Sequence, residues 1–152
     1  MVRTGHALGM IAVAIVAIAA EPAAAEVRDA VYRGTLVCDK LPFTLTRMRE
    51  AIEVTISAGT VRYTHVVRLR AQPEAAVEQG SGTLNGQNIS LEGSGSGGGR
   101  EYKAKYSGTF VRRSARLTGT QTWTEGGKTI ARACSGAIKR PLRLFLPRDK
   151  KP

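Results

Sequence analysis

Apolar and polar residues alternate along most of the chain from Ala30 onward, and this period of two constrains the fold more than any other feature. In Glu101–Val111 the apolar residues share one face, and in Ala115–Thr124 the other face carries Arg116 and four threonines. Because successive side chains of a strand point to opposite faces of a sheet, this period indicates strands that are buried on one side. We therefore expect an all-β chain, an antiparallel meander of about eight strands with no long helix.

Glycines lie inside these strand patterns on the apolar face, as in Gly34-Thr35-Leu36, Gly82-Thr83-Leu84 and Gly108-Thr109-Phe110. Glycine weakens a strand but allows a sheet to bend sharply, which the closure of a barrel requires. The run Gly93–Gly99 contains only glycine and serine, a composition that predicts a flexible loop.

Two cysteines, Cys38 and Cys134, lie in the first and last predicted strands. In an oxidising compartment such a pair forms one disulfide, whereas free thiols or metal ligands are the alternative reading. A disulfide requires α-carbons within about 7 Å, and the end strands of a meander come that close only when the sheet closes. The cysteines therefore predict a closed or nearly closed barrel with one disulfide.

Residues 1–25 have a basic start, an apolar stretch of moderate length and small residues at the end, the order of a secretory signal peptide. A membrane anchor is the alternative, but the apolar stretch is shorter than the roughly 20 residues that a spanning helix needs. We expect a signal peptide at 1–25, a β-barrel domain at 26–140 and a basic flexible tail at 141–152. The location would then be periplasmic or secreted, with no transmembrane segment after cleavage.

The net charge of +11 is confined to the C-terminal third. Residues 26–99 balance eight bases with eight acids, while residues 100–152 carry fourteen bases and three acids. A concentrated positive field attracts polyanions, although a solvated basic face is the plainer interpretation. The candidate basic surface comprises Lys103, Lys105, Arg112, Arg113, Arg116, Arg140 and Arg143.

Several polar side chains fall on the apolar face of their strands, which is the predicted interior. His65, the one histidine after residue 25, follows Tyr63 there, while Gln121 and Arg132 share the inner face of the last two strands. They are either separate residues with local partners, or they line a small inner pocket in which Arg132 attracts an anion. The candidate inner pocket consists of His65, Gln121, Arg132, Tyr63 and Tyr106.

Motifs of catalysis and of cofactor binding are missing or out of context. Residues 93–98 have the G-x-G-x-x-G spacing of a dinucleotide-binding fingerprint, but a strand is predicted after them where that fingerprint requires a helix. The acidic residues predict no catalytic pair, since Glu53 and Glu101 fall on outward faces. We expect no cofactor, no metal and no enzymatic activity.

The predicted strands carry Tyr32-x-Gly34, Gly59-Thr60-x-x-Tyr63, Tyr106-x-Gly108 and Leu117-Thr118-Gly119-Thr120-Gln121-x-Trp123, and Arg132-x-Cys134 follows near the end. With this pattern the chain resembles small exported bacterial β-barrel proteins of unassigned function, and the resemblance implies no activity. The chain is also similar, more loosely, to periplasmic lysozyme inhibitors, through Ser57-Ala58-Gly59-Thr60-Val61-Arg62-Tyr63, although a Ser-Gly pair is not in register.

Together these observations predict an exported, non-enzymatic binding or envelope-associated protein whose basic C-terminal third contacts an anionic partner. The partner would be an envelope component: a lipid headgroup, lipopolysaccharide or a cell-wall polymer. Specific nucleic-acid binding is not expected, because outward aromatic residues for base stacking are missing. The alternatives are a periplasmic inhibitor of a cell-wall hydrolase and a small hydrolase.

Overall fold

A computed structural model describes residues 26–44, 49–70 and 75–142. The predicted signal peptide lies outside the described residues, as does the tail from residue 143 onward. The described chain forms eight strands: β1 (Ala30–Cys38), β2 (Glu50–Ser57), β3 (Thr60–Val67), β4 (Ala76–Asn85), β5 (Asn88–Gly97), β6 (Arg100–Val111), β7 (Ser114–Glu125) and β8 (Lys128–Lys139).

The strands form a closed antiparallel barrel in chain order, so the predicted meander is confirmed. Each strand pairs with the next along the chain, and β1 pairs with β8 to complete the ring. Side chains alternate between the interior and solvent, as the period of two requires. The described part of the chain has no helix that is long and apolar enough to cross a membrane.

Strand connections alternate between the two ends of the barrel. We call the end with the β1–β2, β3–β4, β5–β6 and β7–β8 connections the upper end, and the opposite end the lower end. Tight turns with positive φ close the lower end, at Ala58-Gly59 between β2 and β3 and at Arg112 between β6 and β7. The described chain enters and leaves the barrel at the lower end, before β1 and after β8.

The seam between β1 and β8 carries the disulfide. Cys38 and Cys134 are direct partners in the seam register, with α-carbons 4.0 Å apart, and they form the predicted bridge. The inference from two cysteines to a closed sheet is therefore confirmed.

Glycines allow neighbouring strands to approach closely where the sheet bends. At the seam, a Cβ on Gly34 would collide with the carbonyl oxygen of Ala137, and one on Gly136 with that of Thr35. Gly108 and Gly119 meet carbonyl oxygens across the β6–β7 pair in the same way. A methyl group at these positions would push the paired strands apart, so the bend depends on glycine.

The prediction of a flexible loop at Gly93–Gly99 is wrong for most of its length. Gly93–Gly97 form the second half of β5. Residues 93–96 pair with both β4 and β6, Gly97 pairs with β6, and only Gly98 and Gly99 of the run lie in the turn. Tyrosine rings cover the inner side of this half-strand: Tyr63 lies against Gly93, and Tyr102 lies against Gly95. Composition indicated flexibility, but large rings from other strands occupy the space that side chains on β5 would fill.

The interior contains two apolar clusters at different heights. The larger one fills the lower and middle barrel and includes Tyr32, Leu36, Leu117 and Phe110. The smaller one closes the upper end, where Tyr102 and Trp123 stack at 4.0 Å and Leu41, Val67, Leu69 and Ala76 surround them. Along β3 and β7 the residues between these clusters, His65 and Gln121, are polar.

We expect Gly136→Ala to lower the free energy of unfolding by about 2 kcal/mol, the usual size of an overpacking penalty. The added methyl group would meet the Thr35 carbonyl and the side chain of Leu36. Urea unfolding measures the change, with Ser135→Ala at the neighbouring, exposed position as the control. Equal midpoints for the two variants would contradict the role of glycine at the seam.

Reduction of the disulfide should lower the free energy of unfolding by about 4 kcal/mol, because the bridge closes a loop of about 100 residues in the unfolded chain. The two cysteines are 96 residues apart in sequence. Urea unfolding with and without reductant measures the loss. The double variant Cys38→Ser/Cys134→Ser serves as the control, because it should not respond to the reductant.

Candidate functional site

Six buried polar side chains form a layer between the two apolar clusters, and we call them the polar layer: Glu50, His65, Glu78, Tyr106, Gln121 and Arg132. They come from β2, β3, β4, β6, β7 and β8, so the layer spans the barrel. Each residue is at most 5% exposed. The structure thus brings together all five residues of the predicted inner pocket, since Tyr63 contacts Tyr106 in an edge-to-face pair with centroids 6.0 Å apart.

A chain of hydrogen bonds links the two halves of the polar layer. Arg132 Nε donates to Gln121 Oε1 at 2.8 Å, and Gln121 Nε2 donates to Glu78 Oε2 at 2.8 Å. The Tyr106 hydroxyl donates to the same carboxylate oxygen at 3.1 Å. These bonds fix the orientation of the Gln121 amide, because its oxygen faces the arginine and its nitrogen faces the carboxylate.

His65 lies between two carboxylates. Its Nδ1 is 3.5 Å from Glu78 Oε2, and its Nε2 is 3.7 Å from Glu50 Oε2. Glu50 Oε2 is also 3.7 Å from Arg132 Nη2. Two acidic and two basic groups therefore occupy one buried layer, and burial of charge is tolerated only with such pairing.

Burial shifts the pKa values of Glu50, Tyr106 and Arg132 toward the neutral forms. Removal from water raises the pKa of Glu50, opposed by the backbone N–H of Arg68 and by the charge of Arg132. Burial also lowers the pKa of Arg132, opposed by Glu50. The hydroxyl pKa values of Tyr63, Tyr102 and Tyr106 are raised, mainly by burial and next by the charge of Glu78.

The loop after β1 covers the upper side of the polar layer. Arg132 Nη1 donates to the carbonyl oxygen of Asp39 and to Thr44 Oγ1, each at 3.3 Å. Phe43 packs edge-on against Trp123, and the Arg100 guanidinium lies over the Phe43 ring at 4.2 Å. Thr44 also bridges to Leu69 of the β3–β4 connection. The polar layer is thus enclosed in this conformation.

Sequence reasoning missed Glu50 and Glu78. Both follow the alternation of their strands, Glu50 in phase with Ile52 and Glu78 in phase with Ala76, so the phase of the pattern places them inside. Their presence removes the reason to expect an anion at Arg132, because Glu50 already faces that guanidinium. Binding of a ligand by the predicted inner pocket stays a prediction.

The predicted basic surface is divided between two places. Lys103, Lys105 and Arg116 lie on the outer wall, where Lys105 pairs with Glu92 at 3.0 Å, while Arg112, Arg113 and Arg140 lie at the lower end. Arg143 lies outside the described residues. The structure adds Arg28, which precedes β1 and was not predicted. We call Arg28, Arg112, Arg113 and Arg140 the arginine cluster.

The arginine cluster lines a cleft of about 460 Å³ together with Glu26 and Tyr32. Arg113 Nη2 donates to the carbonyl oxygen of Arg140 at 3.1 Å. In the described part of the chain, the ion pairs of arginine and lysine involve Arg33, Arg100, Lys105 and Arg132, and none involves the cluster. Four like charges therefore lie at one end, and among the described residues none of them forms an ion pair with a carboxylate.

An exposed apolar side chain borders the arginine cluster. Leu142 follows β8, is 73% exposed and lines a groove with Arg28, Arg113 and Arg140. Val111, which precedes Arg112 at the end of β6, is 68% exposed and lines a groove on the outer wall.

No protein-family model matches the chain, and comparisons with curated proteins and with solved structures also give no match. The class of protein is therefore defined by the fold, the polar layer and the arginine cluster. The chain is an eight-stranded antiparallel meander barrel with a buried ionic layer near one end and an unpaired arginine cluster at the other.

We expect Glu50→Gln to remove a pH-dependent part of the stability. The folded-state pKa of Glu50 is raised, so its contribution is fully present below the unfolded pKa and is lost as pH rises through the folded pKa. The unfolding free energy of Glu50→Gln, taken relative to the native protein, should therefore rise as the pH increases above about 4, the ordinary pKa of a glutamate side chain.

Urea unfolding at a series of pH values measures this difference. Glu53→Gln on the same strand is the control, because Glu53 is exposed and pairs with Arg33 at the surface. Parallel pH profiles for the native protein and Glu50→Gln would contradict the assignment.

Proposed function

We propose that the protein is an exported, non-enzymatic binding protein whose lower end attaches to an anionic component of the cell envelope. The observation that carries the proposal is the arginine cluster, whose four arginines form no ion pair within the described residues and lie beside exposed Leu142. The disulfide supports an oxidising location, because such bridges persist outside the reducing cytosol.

The uneven distribution of charge over the molecule supports attachment through the lower end. The charged side chains of the polar layer are buried beside oppositely charged partners, such as Arg132 beside Glu50, whereas the arginine cluster lies at the surface of the lower end. The field of the arginine cluster steers the lower end toward a negatively charged surface. At the surface, each arginine contributes about 1 kcal/mol, and Leu142 adds contact with the interfacial region.

The sequence after Leu142 is consistent with the same surface. It adds the bases Arg143, Arg148, Lys150 and Lys151 to the apolar residues Leu144, Phe145 and Leu146. These residues lie outside the described part of the chain, which leaves β8 at the lower end.

The alternative functions gain no support from the geometry. Tyr63, the last residue of the motif shared loosely with lysozyme inhibitors, points into the barrel and is 3% exposed. A hydrolase would need reachable carboxylates, yet Glu50 and Glu78 are 5% and 0% exposed. Both alternatives stay predictions without a structural observation in their favour.

The double variant Arg112→Asp/Arg140→Glu should bind anionic vesicles at least about 30-fold more weakly, since two attractive charges of about 1 kcal/mol each are lost and reversed. Aspartate tolerates the positive φ of 58° at position 112. Co-sedimentation with vesicles of phosphatidylglycerol and phosphatidylcholine measures the affinity, and binding should weaken with added salt.

The matched control is Lys103→Glu/Lys128→Glu, which makes the same change in net charge away from the lower end. It should keep most of the affinity. Equal losses in both double variants would show attraction to net charge alone, and failure of the native protein to bind any anionic vesicle would refute the proposal.

A further inference from the structure

We propose that the arginine cluster binds one phosphomonoester group at a time, carried by an amphiphile, within the cleft that its guanidinium groups line. This inference rests on the proposed function, because it names the chemical group that the lower end recognises on an anionic surface.

The cleft has a fixed inner part and an exposed rim. Arg113 and Arg140 are half-buried, and two hydrogen bonds join them: Arg140 N donates to the Arg113 carbonyl at 2.9 Å, and Arg113 Nη2 donates to the Arg140 carbonyl. Arg28 and Arg112 are exposed at the rim. The inner guanidinium of Arg113 is therefore oriented before any ligand arrives, which lowers the entropic cost of binding.

Arg113 has a donor that no other described residue uses. Its Nε atom is buried and has no hydrogen-bond partner within the described part of the chain. A buried donor without an acceptor destabilises the protein, because its hydrogen bond to water has been lost. An anion in the cleft would reduce the repulsion among the four arginines.

The number of charges selects the class of anion. A phosphomonoester carries a charge of about −1.5 to −2 at neutral pH and has three terminal oxygens, so it can accept forked hydrogen bonds from more than one guanidinium. A phosphodiester or a carboxylate carries one charge and two free oxygens. Four arginines that line one cleft therefore favour the monoester.

Two acidic residues, Asp29 and Glu26, lie near the cleft, and neither forms an ion pair with the arginine cluster within the described residues. Asp29 Oδ2 accepts from the backbone N–H of Ala58 at 2.8 Å, so it is directed toward the β2–β3 turn. Glu26 lines the cleft as its single carboxylate. The Tyr32 hydroxyl donates to the carbonyl oxygen of Arg28 at 2.8 Å and so holds the backbone at the rim.

The surroundings favour an amphiphile over a soluble ester. Leu142, the most exposed of the large apolar side chains in the described chain, lines a neighbouring groove with Arg28, Arg113 and Arg140. A headgroup in the cleft would place its acyl region beside Leu142, whose burial would add to the affinity.

The test uses two vesicle preparations with equal zeta potential at about pH 7.4, one containing phosphatidic acid, a monoester, and one containing phosphatidylglycerol, a diester. The native protein should bind the monoester vesicles about tenfold more tightly. Arg113→Lys keeps the charge but removes the fork and the Nε donor. This variant should lose the preference while retaining affinity for phosphatidylglycerol.

Arg116→Lys on the outer wall of β7 is the matched control and should keep the tenfold preference. Arg28→Lys provides a second variant in the cleft at an exposed position outside the strands, where loss of folding is not at issue. Circular dichroism and the unfolding midpoint establish that each variant is folded.

The outcomes separate the two proposals. Equal affinity of the native protein for both vesicles, or a preference that survives in Arg113→Lys and Arg28→Lys, would overturn the phosphomonoester site and leave the proposed function intact. Binding to neither vesicle would overturn both. Competition by glycerol 3-phosphate at the affinity of the vesicles would show that the ester is recognised without the amphiphile, which would overturn that part of the inference.

Discussion

Pairing of the first strand with the last is the interaction on which the rest of the structure depends. Every other strand pair joins neighbours in sequence, whereas the β1–β8 seam closes most of the chain into a ring. The loss of chain entropy on closure is offset by the disulfide and by the close approach that Gly34 and Gly136 permit. The polar layer follows from closure, because Arg132 on β8 meets Glu50 on β2 only in a closed ring.

Closure also separates two kinds of arginine. Arg132 lies inside, where Glu50, Gln121 and Thr44 compensate its charge and its donors. The arginine cluster lies at the opposite end, where exposure to water allows four like charges to remain unpaired. The inner arginine therefore has partners on neighbouring strands and in the loop after β1, whereas the arginines of the lower end form no ion pair within the described residues.

Much of this arrangement could be predicted from the alternation of residues. The phase of the pattern grouped His65, Gln121 and Arg132 correctly, because side chains on the inner face of a small barrel must meet. The same phase would have included Glu50 and Glu78, but a buried carboxylate is costly and is expected inside only when its partners are known. Those partners lie on other strands, so sequence neighbours do not reveal them. Gly93–Gly97 were misread for a related reason, since their order comes from the rings of Tyr63 and Tyr102.

The sequence by itself determined the strands, the meander and the closed sheet, because the period of two and the positions of two cysteines are local or pairwise properties of the chain. It also determined that the positive charge is concentrated after residue 99. Only the tertiary structure decided which charges compensate one another. It placed Arg28 beside Arg113 and Arg140, and it separated them from Lys103 and Lys105, because barrel closure brings the ends of distant strands together.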